Sequence, residues 1–284
     1  MKNPERTIDL HHHLPAGDGR AYAHRLAAVA DRCGLRKIVA AGLEWRQQTL
    51  YGRNADVLAA WRECPDLIVP FACIDRDWPA DPARVDTLRD QGFAGLKFIH
   101  PRYPYHDERL YPWYDRAQTL GMPVLFHLGI VARTDGADPD RVDNNLMRPV
   151  YLDTVARAFP DLTVLGAHLG NPWYEEAAMS CRWNPNLYFD LSGSTLKKKS
   201  PAALAELLWW GGDTAPEYRD RCGRSAWDKI VFGSDVDVDR IADVIDDYRQ
   251  LAETLQWSPT QTDAVFFRTA ATLLTRAGID VGDA

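Results

Sequence analysis

The sequence has no apolar run near the ~18 residues that a membrane-spanning helix needs, and its mean hydropathy is −0.35. It has no C-x-x-C pair, and its five cysteines, Cys33, Cys64, Cys73, Cys181 and Cys222, are odd in number. Free thiols in a reducing compartment are therefore expected, not a disulfide framework. Basic charge is not in excess: 33 Lys+Arg stand against 40 Asp+Glu, a formal net charge of −7. Gripping phosphate needs a basic face, so nucleic acid is not the expected partner, and neither is a membrane. With 19 glycines and 18 prolines in 284 residues, the collagen-like and low-complexity classes are excluded as well. MKNPER leads into the first alternating segment with no apolar signal-peptide core, so the cytoplasm is the expected location. No long linker or internal repeat interrupts the chain, and a single domain over residues 1–284 is expected.

What is present is a rhythm of short apolar runs and longer amphipathic stretches. The runs are Thr7–His13, Lys37–Leu43, Leu67–Asp75, Phe93–Ile99, Pro123–Gly129, Leu162–Gly170, Leu187–Gly193 and Lys229–Val236. Between them lie stretches of helical spacing. In Ala23–Gly34, for example, Leu26, Val29, Ala30 and Cys33 share a face and Gly34 supplies a stop. Eight strands, each followed by a helix, predict an α/β fold of the (β/α)₈ TIM-barrel type. An open doubly wound sheet would want a glycine-rich loop after its first strand. That place holds His11, His12 and His13.

Active-site residues of such barrels come from the C-terminal ends of the strands. Strict alternation along the first run puts Asp9, His11 and His13 on the inner face, with Ile8, Leu10 and His12 outside. Two inward histidines two residues apart can reach one metal ion, and neutral imidazoles suit zinc or a similar divalent ion. His12 reads as a bystander or packing residue. The fifth run ends near His127, the sixth near His168 and the eighth near Asp235. Lys97 ends the fourth and should also point inward.

The segments IDLHHHL, GLKFIHPRY, VLFHLG, VLGAHLG and VFGSDV resemble the amidohydrolase superfamily. They are most similar to its amidohydrolase-2 group, which is related to aminocarboxymuconate-semialdehyde decarboxylase. The resemblance covers essentially the whole chain. It implies one divalent ion, with zinc the first choice, held by His11, His13, His127 and Asp235. It also implies catalytic roles for His168, as acid/base or carbonyl-polarising group, and for Asp235, which accepts the proton of an attacking water while it ligates. Lys97 stands where many superfamily members carry a metal-bridging lysine. In the closer group the site is mononuclear, and Lys97 becomes a charged neighbour of the metal or a substrate contact. A homodimer is a further implication of the resemblance.

Ligating histidines need acceptors on their other nitrogen, for which Asp9 and Asp190 are candidates. Substrate contacts are expected from the strand-to-helix loops, with Arg102 and Tyr103 after the fourth strand and Arg133 after the fifth, for a small molecule, an anionic one included. Such a site suits hydrolysis of an ester, lactone or amide. It also suits non-oxidative decarboxylation of an aromatic or unsaturated acid. A barrel that only binds metal is the non-enzymatic alternative. The modest length of the chain favours the hydrolase.

Overall fold

In the computed structural model, which describes residues 6–44, 50–131, 142–212, 219–220 and 222–282, the eight apolar runs form eight parallel strands. They are β1 (Thr7–His13), β2 (Leu35–Ala41), β3 (Ile68–Cys73), β4 (Gly95–Phe98), β5 (Val124–Phe126), β6 (Val164–Gly166), β7 (Leu187–Asp190) and β8 (Ile230–Val231). The helices are α1 (Gly19–Cys33), α2 (Asn54–Glu63), α3 (Pro82–Asp90), α4 (Tyr111–Thr119), α5 (Val150–Ala158), α6 (Tyr174–Trp183), α7 (Thr195–Lys198), α8 (Pro201–Leu207), α9 (Ile241–Thr254), α10 (Pro259–Asp263) and α11 (Thr269–Arg276). Strands pair in sequence order from β1 to β8. Two backbone bonds join the ends of the sheet: Leu10 N–H donates to the Phe232 carbonyl at 2.9 Å, and Asp235 N–H to the His11 carbonyl at 2.8 Å. The expected TIM barrel is the observed fold. No helix among the described residues is long and apolar enough to cross a membrane.

Local chemistry sets the element ends. Asp18 accepts from the amides of Arg20 and Ala21 at the start of α1, and Gly34, at φ 72°, ends it. Asp81 caps α3, with Pro82 in its first turn.

Side chains separate into two apolar layers. Ile38, Ala40, Leu96, Phe98, Val124, Phe126 and Phe189 face outward and pack beneath the helices. Val39, Val69, Phe71, Leu125, Leu165, Tyr188 and Val231 fill the interior, together with Phe267, Leu273 and Leu274 from the C-terminal helical region. The polar side chains described below stand at the strands' C-terminal ends.

β4 shows how tightly the interior is filled. Gly95 pairs with Phe71, and a Cβ there would sit 2.4 Å from Phe71 Cζ. Gly95→Ala should overpack this layer at a cost of about 1–3 kcal/mol. Calorimetry of that variant should show a melting temperature lower by about 2–5 °C. An unchanged value would mean that Phe71 has room to move.

Candidate active site

β1 does not alternate strictly. Asp9 pairs with Ile38 but His12 pairs with Ala40, so β1 carries one residue more than β2 over this span. Ile8 and Leu10 lie in the interior apolar cluster, which corrects their expected outward placement. Asp9, expected inside, pairs with outward-facing Ile38 and binds Ser234 after β8. The irregularity then returns His11 and His13 to the inner face and His12 to the outer one. A bulge of this kind re-aims side chains beside a site.

Hydrogen bonds fix the histidine tautomers. His11 Nδ1 lies 2.9 Å from Asp190 Oδ2, and His13 Nδ1 lies 3.2 Å from the Ala41 carbonyl. Both partners only accept, so each Nδ1 carries the proton and each Nε2 presents a lone pair. The two Nε2 atoms are 3.3 Å apart. Asp235 Oδ1 is 3.7 Å from the first and 3.9 Å from the second. Two lone pairs and a carboxylate oxygen facing one another repel unless a cation lies among them. Lys97 Nζ, fully buried, stands 2.9 Å from His11 Nε2. The donor set of His11, His13 and Asp235, mutually within 4.8 Å, fits a divalent ion.

His168 joins from the other side. Its Nε2 is 3.6 Å from Asp235 Oδ2, and its Nδ1 is 2.9 Å from Ser192 Oγ. Ser192 donates its hydroxyl to Asp190 Oδ1 at 2.5 Å, so the serine oxygen accepts from His168 Nδ1–H. The Asp190 carboxylate thus serves both histidines, and it also accepts the backbone amides of His168 and Ser192. His168 has φ 62°. At Gly193, a Cβ would lie 2.3 Å from His168 Nδ1, so only glycine leaves room for the ring.

Burial dominates the electrostatics. It lowers His11 and pushes His13 and His127 well down, with Lys97 adding to each shift, so these rings are neutral near pH 7. His168 is lowered to about 4, against the pull of Asp235 and Asp190. Burial brings Lys97 to about 8. It also raises Asp235, with His168 and Lys97 opposing. The two histidines and Ser192 hold Asp190 below the usual range against its own burial.

The other expected residues are more dispersed. His127 stands edge-on to His168, ring centroids 5.0 Å apart, and its buried Nε2 has no hydrogen-bond partner. Arg102 pairs with Asp77, and the Arg109 guanidinium covers the Tyr103 ring at 3.4 Å. Both line a cavity of about 280 Å³ between the loops after β3 and β4, whose walls include none of His11, His13, His168 and Asp235. Arg133 lies outside the described residues. Sequence reasoning missed Ser192 and Ser234, as well as Tyr51, whose ring sits 5.6 Å from that of His13. The serines lie two residues after Asp190 and one before Asp235, and that adjacency was the available signal.

The amidohydrolase-2 family profile matches residues 8–276. The chain belongs to the amidohydrolase-2 family. No curated protein sequence matches this amidohydrolase. Among solved structures it is similar to an uncharacterised TIM-barrel protein from Bordetella bronchiseptica, with 21% identity, TM-score 0.72 and coverage of 96% of this chain and 100% of that one. A proposed 2-pyrone-4,6-dicarboxylic acid hydrolase from Pseudomonas putida has 15% identity, TM-score 0.60 and coverage of 95% and 97%. A 5-carboxyvanillate decarboxylase from Novosphingobium aromaticivorans, complexed with manganese and a nitrobenzoic acid, has 15% identity, TM-score 0.57 and coverage of 88% and 79%. At these identities the likeness to the three structures is one of fold.

Two outcomes are expected at this site. Asp190→Asn removes the charged acceptor from His11 Nδ1 and should weaken divalent-metal binding about 10- to 100-fold in a chelator competition. The second concerns acid. His168 is lowered in the fold, so the unfolded chain takes up its proton first, and the stability it carries is intact above pH 6.5 and lost as pH falls towards about 4. His168→Gln is free of that loss. In metal-free protein, the melting temperature of wild type relative to His168→Gln should therefore fall across this window.

Proposed function

We propose that this amidohydrolase is a metal-dependent hydrolase of a small carbonyl compound, with one divalent ion, zinc in the first instance, held by His11, His13, His127 and Asp235. The observation that carries this reading is the pair of unprotonated Nε2 atoms 3.3 Å apart beside the Asp235 carboxylate, with the Lys97 ammonium against the first of them. The unpartnered Nε2 of His127 supports a fourth ligand from β5. When bound, such an ion supplies Lewis acidity, acidifying water and polarising a substrate oxygen.

The chain's own groups handle the proton. Asp235, raised by burial, is suited to accept it from an attacking water. The neutral His168, its Nε2 lone pair 3.6 Å from Asp235 Oδ2, receives it and passes it to the leaving group. Ser192 keeps the ring in the tautomer that this transfer needs. Lys97 offers a buried positive charge to an anionic substrate. Arg102, Tyr103 and Arg133 remain proposed as outer contacts from the loops.

A second reading is supported by the fold likeness to a manganese-bound decarboxylase. The same Asp235–His168 pair, entering the cycle with a proton, would deliver it to the carbon that loses CO₂.

Metal analysis of purified protein should find about one divalent ion per chain. A panel of lactones, esters and aromatic acids then separates the readings, since ring opening or acid release means hydrolysis and CO₂ release means decarboxylation. His168→Asn should keep the metal and lose about 10²–10⁴-fold in turnover. Full activity in that variant would remove His168 from the mechanism.

A further inference from the structure

We propose that Asp235 is aimed by a buried chain of hydrogen bonds on the outer side of β1, running Asp9–Ser234–His12–Tyr22–Val238, with His12 as the positioning residue at its centre. This rests on the metal-site reading above.

The direction of the chain follows from its one backbone amide. Val238 N–H can only donate, and it points at Tyr22 Oη at 3.1 Å. The tyrosine hydroxyl is then free to donate to His12 Nε2, also at 3.1 Å. An accepting Nε2 leaves the ring proton on Nδ1, which donates to Ser234 Oγ at 3.2 Å. The serine donates in turn to Asp9 Oδ2 at 2.5 Å. The Asp9 carboxylate ends the chain and also accepts the amides of Ser234 at 3.0 Å and His11 at 3.1 Å. The serine hydroxyl lies farther from its other neighbour, the His11 carbonyl, at 3.5 Å, and all four side chains are buried.

Asp235 sits between the two anchored points. Ser234 precedes it and is held by Asp9 and His12. Val238 follows three residues later and is held by Tyr22. Between them Asp235 adopts φ 47°, which a non-glycine residue takes up only under constraint, with its own amide fixed on the His11 carbonyl. His12 joins the two anchors through its two ring nitrogens. Its two ring nitrogens bond Ser234 and Tyr22, so its influence on Asp235 runs through the loop. Cutting the chain lets this loop relax and draws the carboxylate away from His11 and His13. A residue that alternation assigns to packing thus becomes the link between β1 and the carboxylate ligand.

The test uses the full chain stripped of metal. Tyr22→Phe removes one hydroxyl and keeps the ring that stacks on His12, while His12→Leu removes both bonds and His12→Asn restores a donor near Nδ1. Zinc affinity is measured by chelator competition, and the visible spectrum of the cobalt-loaded protein reports the ligand set. Tyr22→Phe and His12→Leu should each weaken zinc binding about 10-fold. Their cobalt spectra should move towards that of Asp235→Asn, and His12→Asn should recover part of both effects. Unchanged affinity and spectrum in folded Tyr22→Phe would overturn the proposal, as would loss of thermal stability alone. If His12→Leu fails to fold, Tyr22→Phe decides. Wild-type protein that takes up neither zinc nor cobalt would sink the metal-site reading itself, an outcome distinct from variants that bind as well as wild type.

Discussion

The site depends on how the last strand is joined to the first. The Asp235 amide donates to the His11 carbonyl at 2.8 Å, which brings a carboxylate from near residue 235 beside imidazoles from near residue 12. No local preference could do this. Eight strands must tilt and pair in order before these residues meet, so the cluster exists only in the completed fold. Two residues at its centre are also held at positive φ, His168 at 62° and Asp235 at 47°. Such conformations cost about 1–3 kcal/mol each, and the surrounding hydrogen bonds must offset that cost.

Asp190 is the second organiser. Its two oxygens reach His11 Nδ1, the His168 and Ser192 amides and the Ser192 hydroxyl. One carboxylate therefore orients a histidine from β1 and another from the loop after β6. A buried carboxylate is costly unless charge or donors surround it, and here the donors are the groups that need orienting. The same network leaves two lone pairs, on Nε2 of His11 and His168, directed away from Asp190.

The barrel was legible in the sequence because its evidence is repeated: each strand is a short apolar run and each helix has a periodic face. The runs ended near His11, His13, Lys97, His127, His168 and Asp235, and strand ends are where barrel chemistry gathers. The orientation of β1 was not legible. A period of two places Asp9 with His11, and a single extra residue between Asp9 and His12 reverses the first half of the strand while leaving the second half unchanged. A bulge leaves no mark in a pattern where Leu10 is apolar and its neighbours are all acid or imidazole. The inward orientation expected for His11 and His13 is the observed one, that expected for Asp9 is not, and the hydrogen bonds of His12 were not foreseen. Arg102 and Tyr103 show a different limit. Position in a strand-to-helix loop brings a residue to the correct end of the barrel, but Asp77 and Arg109 engage those side chains.

Charge supplies the last step. Around the proposed metal position stand two carboxylates, Asp190 and Asp235, one ammonium, Lys97, and histidines that burial keeps neutral. With Lys97 protonated, that group carries a net charge of about −1, and a divalent ion reverses it to about +1. Besides ionisation of a water at the ion, two routes relieve a buried excess of positive charge. Lys97, already lowered to about 8, gives up its proton, or an anionic ligand enters. Under the proposed function, both routes connect Lys97 with substrate charge. A neutral substrate leaves the excess for the lysine to relieve, whereas a carboxylate lets Lys97 keep its proton and pair with the incoming group. The side chain that holds a cation against His11 Nε2 is in this way also the group best placed to distinguish an acid from its neutral ester.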